Sequence, residues 1–518
     1  MKEFLKKIGR AVTGRKGIGN TMTVVIIVAV VLLNILAYTL TNAFEIYFYS
    51  PYEEDFSISG STDELFHDAI ILEKKVTITF CYLEEKLQLH ENGKDVLKTA
   101  REFEKRYDDL IDIRFVNLLT NMDSYGVIVD FSKYVKTEDE KNDENYEGDK
   151  VDRLRQNSVI FECGDNIRII TDNATSAGFV DFYTLDSSGN AIAYNGEEVI
   201  AAMISWVLHD EHPVAYFTQN HGETADIAFS NLLTCAGYRV SVLNLRKMEI
   251  PDNTGLIVIS NPTSDFDRTS PESGVVGELN KIESYLEEGG KLYVALDPYV
   301  KELKNLEAML GEWGISISGE KNEDGVFVRD IVKENANAIT TDGYTFVATH
   351  ADNELATKIR DKVTKYGNDS ILMSEVTKLD IDPDKGAQPL LISGKTSSTF
   401  AGGKQTDSKG EYPVAAYSIR EAKDNNESVV FVIPTAYITA ADAFLSDNYS
   451  NKDFIYSVLE VIFDSNPTPR GCNQINYTAK MLENLTMGKA KMYTAIILAI
   501  PTALAVVGVI TIVRRKNR

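Results

Sequence analysis

Apolar residues follow three rhythms along this chain. At each end they run together: no charged residue occurs between Lys16 and Glu45 or between Lys491 and Arg514. A helix rising about 1.5 Å per residue needs about 20 apolar residues to cross a bilayer's hydrocarbon core. The two runs therefore predict membrane-spanning helices at 21–41 and 492–513. Between them the rhythm alternates between that of half-buried strands and that of helix faces. Val76–Leu83 and Ile111–Leu119 read as strands. Val96, Leu97, Ala100, Phe103, Tyr107 and Leu110 mark one face of a helix joining them. Strand, helix and strand of this length predict a parallel, right-handed βαβ unit. Ser158–Cys163 and Asn166–Ile170 form a predicted hairpin, and Gly196–Val207 a helix that closes a first module over 60–208.

A second module, 209–470, alternates strands at Val214–Thr218, Tyr238–Leu245, Gly255–Ser260 and Lys291–Leu296 with helices at Thr224–Ala236, Val275–Glu288 and Lys301–Trp313. Short connections between alternating elements predict an open, doubly wound α/β sheet. After Gly314 the pattern turns to short strands at Gly325–Val332, Tyr344–Thr349, Pro389–Ser393, Tyr412–Arg420 and Ser428–Ile433, a β-rich extension. Ser397–Tyr412 reads as a mobile loop or hairpin tip. A helix at Lys452–Phe463 returns to the α/β core, and 471–491 is a juxtamembrane segment. Lys136–Lys150 is almost without apolar residues and predicts a solvated loop.

Charge orients the chain. Lys2, Lys6, Lys7, Arg10, Arg15 and Lys16 precede the first span, whereas no Lys or Arg follows it until Lys74. Cationic flanks stay cytoplasmic, so 1–20 and 514–518, the latter with Arg514, Arg515, Lys516 and Arg518, are basic cytoplasmic tails. Arg15, Lys16, Arg514 and Arg515 are placed at the membrane interface, with lipid as a partner. Lys480, Lys489 and Lys491 weaken this signal without reversing it. The expectation is a two-pass protein of the plasma membrane with a large extracytoplasmic domain. The first run is longer than a signal-peptide core, and no clear cleavage site follows it. The net charge is −24, and with the basic tails set aside the middle carries about −33, which argues against nucleic acid or an anionic membrane surface as partner. Four cysteines, Cys81, Cys163, Cys235 and Cys472, lack paired or metal-type spacing and read as free thiols.

Ligands of open α/β sheets gather at the carboxyl ends of the strands. Here those positions carry Gln219, Asn220, His221, Gly222 and Glu223, then Ser260, Asn261 and Pro262, then Asp297 and Pro298. Asn220, His221, Gly222, Glu223, Asn261 and Asp297 make up a candidate ligand or partner loop. Glu223 falls in a predicted first helical turn, where the helix dipole favours an acid. No G-x-S-x-G elbow or H-E-x-x-H occurs. Asp380, Asp382 and Asp384 imitate the start of a calcium loop, but Gly386 comes one place late and Leu391 stands where a bidentate Glu is needed. Cys81 is followed three places on by Glu84, which excludes C-x-x-C redox chemistry. Gly9–Lys16 misses a phosphate-binding loop at Arg15 and Lys16. No catalytic residue, metal or cofactor is assigned.

The layout resembles the GldG-like, gliding-motility-associated auxiliary components of ABC transporters. The marks are VAYFTQNHGE at Val214–Glu223, GGKLYVALDP at Gly289–Pro298, VVFVIPTAYIT with FLSD within Val429–Asp447, and RRKNR at Arg514–Arg518. Asn220 departs from the glycine usual in that family. The resemblance implies a thioredoxin-like first module and a glutamine-amidotransferase-like α/β domain without its catalytic cysteine. It also implies partnership with a separate ABC ATPase and a multi-span permease. The expected function is a non-catalytic extracytoplasmic auxiliary subunit. Two alternatives are a cell-envelope hydrolase using His221, Glu223 and Asp297, and a surface adhesion or binding protein. Ala503, Ala505 and Gly508 could let the second span pack closely on a neighbour.

Overall fold

Two β-sheets of different size carry the polypeptide. The computed structural model describes residues 56–143, 146, 148–171, 178–186, 188–224, 226–268, 277–336, 338–444 and 448–477, all within one compact unit, Phe56–Thr478. The predicted spans, the basic tails and the interfacial Arg15, Lys16, Arg514 and Arg515 lie outside the described residues. Among the described residues no helix is long and apolar enough to cross a membrane.

Helix α1 (Ser61–Ile71) opens the unit in a stretch for which no element was predicted. It buries only Thr62, Phe66 and Ala69, too sparse a stripe to read as a helix. Strand β1 (Val76–Phe80) leads through α2 (Gly93–Arg106) to β2 (Ile111–Asn117). β1 and β2 are parallel, with Val76 opposite Ile111 and Phe80 opposite Phe115. β3 (Met122–Asp123) adds to the outer edge of β2, while β4 (Val159–Cys163) and β5 (Asn166–Ile170) form a hairpin on the other side of β1. The five-stranded order is β3-β2-β1-β4-β5. β6 (Tyr183–Leu185) and β7 (Ala191–Tyr194) then precede α3 (Gly196–Leu208), which is buried on nearly every face. A helix apolar all round must be covered all round; α3 meets β4 and β5 on one side and the second module's α4 on the other.

The second sheet begins with β8 (Val214–Thr218), α4 (Ile227–Cys235), β9 (Arg239–Leu243), β10 (Thr254–Ser260), α5 (Glu278–Glu287), β11 (Lys291–Ala295) and α6 (Lys304–Glu312). It continues with β12 (Thr345–His350), α7 (Glu354–Thr364), β13 (Ile371–Ser374), β14 (Ala387–Ile392), β15 (Pro413–Glu421), β16 (Glu427–Ile433) and α8 (Asn451–Val461). The order is β13-β12-β14-β15-β16-β11-β10-β8-β9 across nine strands. The five from β16 to β9 are parallel, and the remaining four are antiparallel. Alternation along each central strand serves two cores. Leu256, Val258, Tyr293 and Ala295 face α4, α7 and α8, while Ile257, Ile259, Leu292 and Val294 face α5 and α6. The class is mixed α/β with several sheets. The predicted β-rich extension is thus a continuation of the same sheet plus small satellite sheets, and Ser397–Tyr412 is an ordered hairpin of Ser397–Ala401 with Lys404–Gly410.

Polar bolts join the modules. Asp149 accepts from Arg168 at 3.2 Å and from Arg239 at 2.7 Å. Glu198 takes Lys452 at 2.8 Å and the Tyr456 hydroxyl at 2.7 Å. The stretch Lys136–Lys150 is therefore more than a solvated loop. It carries a short helix, Glu138–Asn142, started by a Thr137/Glu140 capping box, and Asp149 anchors its end. Strand β17 (Ile475–Asn476) returns to pair with β7. The four cysteines are free, with Cys81 buried and the others half-buried.

Candidate functional site

The candidate loop lies at the carboxyl ends of β8, β10 and β11. Gln219 still belongs to the sheet, its N–H donating to the Leu243 carbonyl at 3.2 Å. The chain then reverses through Asn220 (φ 85°) and Gly222 (φ 74°). Asparagine tolerates left-handed backbone better than most side chains, so the turn forms with Asn220 at this position. At Gly222 a Cβ would overlap the Thr263 hydroxyl; only glycine fits.

His221 between them is fully buried. Its Nδ1 faces Glu223 Oε1 at 3.2 Å and its Nε2 faces Glu278 Oε2 at 2.9 Å. The ring stacks on Phe266 with centroids 3.8 Å apart. Its backbone N–H donates to Glu223 Oε2 at 2.7 Å, and its carbonyl accepts from the Thr263 and Ser264 N–H groups at 2.8 and 2.9 Å. Glu278, itself buried, also accepts the Asp267 N–H at 3.0 Å and lies 3.3 Å from Arg246 Nε. Burial alone would lower the His221 pKa, but the hydrogen bonds to Glu223 and Glu278 outweigh it and raise it above the usual imidazole value. Burial works to raise Glu223, yet the His221 hydrogen bond and backbone N–H groups hold it below the usual carboxylate value.

The result is an imidazole ring clamped between two carboxylates under an aromatic lid. A general base needs a nitrogen lone pair within reach of substrate; here both ring nitrogens point at carboxylates and the ring is closed to solvent. The arrangement holds the β8–α4 turn, the segment after β10 and the start of α5 together. Glu278 is the partner that sequence reasoning missed. It read only as one more acid in the predicted helix Val275–Glu288, and its pairing spans 57 positions. Glu223 lies ahead of α4 rather than in its first turn, because Asp226 takes the N-cap by accepting the Phe229 N–H at 2.9 Å. The helix-dipole expectation for Glu223 is thereby corrected.

The remaining candidates take other tasks. Asn261 has φ 50° and donates its N–H to the Ala295 carbonyl at 2.9 Å, while its buried Oδ1 has no hydrogen-bond partner among the described residues. Asp297 accepts the Tyr299 N–H at 2.8 Å and lies near Tyr437, whose hydroxyl it helps raise after Glu375. Neither ring nitrogen of His221 is bonded to Asp297, so the expected trio of His221, Glu223 and Asp297 is not brought together by any hydrogen bond. Among the described residues no group of three His, Cys, Asp or Glu side chains is placed to hold a metal ion.

No family model matches the chain, and no curated protein matches it. Solved structures similar to it include the mmIFT52 N-terminal domain, at 14% identity and TM-score 0.35 over 48% of this chain and 97% of that one. PurLQS from Thermotoga maritima gives 13% and 0.28 over 48% and 98%. The cytoplasmic protein STM3548 from Salmonella typhimurium gives 12% and 0.29 over 49% and 99%. Likeness this distant assigns no function.

Proposed function

We propose that this chain is a non-catalytic, membrane-anchored subunit that works outside the cytoplasm beside a separate ABC-type ATPase and a multi-span permease, as the GldG-like resemblance implies. The observation that carries this reading is the meeting of chain entry and exit. The Glu197 carboxylate, at the start of α3, accepts the Ser59 N–H at 2.7 Å and the Asn473 N–H at 2.7 Å. Ser59 and Asn473, close to the first and last described residues, are therefore pinned to one side chain, and fourteen positions (42–55 and 478–491) separate the described residues from each predicted span. Leads that leave from one place suit a domain hung from two helices in one bilayer. The occupied nitrogens of His221 support the non-catalytic part of the reading.

Within it, the parallel βαβ unit followed by the β4–β5 hairpin and α3 is read as thioredoxin-like. The parallel half of the nine-stranded sheet is read as glutamine-amidotransferase-like. Both ends are taken as cytoplasmic and the described domain as extracytoplasmic. The test is affinity capture of the full chain from detergent-solubilised membranes, with identification of co-purifying chains. A nucleotide-binding subunit and a permease in near-stoichiometric amounts are expected; a chain that purifies alone would favour an adhesin and overturn the proposal.

A further inference from the structure

The segment from the β2–β3 turn to Val129 carries an apolar surface that is left exposed among the described residues. Leu119, Met122, Tyr125, Val127 and Ile128 project from it, with Leu119 86%, Tyr125 92% and Ile128 73% exposed. The turn is rigid in construction. Met122 bridges to Ile128, and the Val129 N–H donates to the Asn121 carbonyl at 2.8 Å. Asp123 Oδ1 accepts the Tyr125 and Val127 N–H groups at 2.9 and 2.8 Å, and its Oδ2 takes Arg114 at 2.7 Å. Asp123 is the only charged residue from Leu118 to Val129, and these bonds neutralise it. An ordered hairpin that presents large side chains and no free charge is poorly matched to water.

Its position says what covers it. The hairpin leaves the carboxyl end of β2, parallel to β1. The described residues begin and end at that same end. Phe56 packs on Tyr194 at 5.8 Å and shares a cleft with Glu84 and Gln88, which directly follow β1. Tyr477 stacks on Tyr183 at 6.4 Å, and the Tyr183 hydroxyl donates to the carbonyl of Asn92, just ahead of α2. Fourteen residues, 42–55 and 478–491, separate this end of the described domain from each predicted span. We infer that the 118–129 hairpin dips into the interface of a zwitterionic bilayer, with Tyr125 at headgroup level and Leu119 and Ile128 below it. Tyrosine favours that depth, and the absence of Lys and Arg makes anionic lipid unnecessary. This inference rests on the membrane-anchored reading.

The test reconstitutes the full chain bearing Tyr125→Trp in phosphatidylcholine nanodiscs, with or without bromine on the acyl chains. Trp206 and Trp313 are buried, so the parent chain supplies the background. The added emission should fall measurably in brominated lipid, as expected for a side chain at the membrane interface, while the parent stays unchanged. Unquenched emission from a chain that resists alkaline extraction would overturn the hairpin contact, leave the anchoring intact and point to a protein as occupant. A chain released by alkali would overturn both.

Discussion

Replacing His221 with alanine tests the clamp at its centre. The substitution leaves Glu223 and Glu278 facing each other's former partner with only Arg246, 3.3 Å from Glu278, to compensate. Removing one member of a buried ion pair costs about 3–5 kcal/mol. Arg246 is half exposed and relieves part of that, so a loss of about 3 kcal/mol is expected in urea denaturation. The double variant His221→Ala/Glu278→Gln should lose less than the sum of the singles, with a coupling of roughly 1–3 kcal/mol. The pH dependence has a definite sign. His221 is raised in the folded state, so its contribution is full below its ordinary value of 6.5 and fades as pH climbs through the raised value. Glu223 is lowered, so its contribution is full above 4.5 and fades as pH falls through the lowered value. The gap between parent and His221→Ala should therefore be widest between these two values and shrink in alkali. A loss below about 1 kcal/mol at pH 5.5, or a loss that does not shrink as pH is raised across the alkaline range, would refute the clamp.

Three further outcomes follow from the same geometry. Gly222→Ala should destabilise by roughly 1–3 kcal/mol, because the residue is left-handed and its Cβ has no space, whereas Asn220→Gly should change stability by only a few tenths of a kcal/mol; urea midpoints distinguish them. Asp149→Ala strips a shared carboxylate from Arg168 and Arg239 and should cost about 2 kcal/mol, read as earlier cleavage between the two modules in limited proteolysis. Burial pushes the Cys81 and Cys235 thiols up to about 12, so iodoacetamide at pH 8 should spare both in the folded chain and modify both in urea, as mass spectrometry would record.

Elements with a clean period were legible in the sequence. β1, β2, β8, β10 and β11 lie within a few residues of their expected bounds, since continuous or alternating apolar runs leave little choice of structure. α1 and α7 were not, because each buries only three side chains in eleven residues. At the candidate site, the residues at the strand ends were legible because the fold class itself marks those positions. The clamp was not, because it depends on Glu278, 57 positions from His221, and on Phe266, and neither has any local signature of pairing with a histidine. Asp297 was legible as a strand-end candidate, but β11 delivers it beside Tyr299 and Tyr437 rather than His221.

The most direct measurement is sided thiol labelling on intact cells with a membrane-impermeant maleimide, using Tyr299→Cys and Arg518→Cys in the full chain. Tyr299 is exposed on the described domain, and the native thiols are buried or half-buried. Labelling of the cysteine at 299 before permeabilisation, and of the one at 518 only afterwards, is the expected result. Label at 518 on intact cells with none at 299 would contradict the extracytoplasmic placement and the transport role that rests on it.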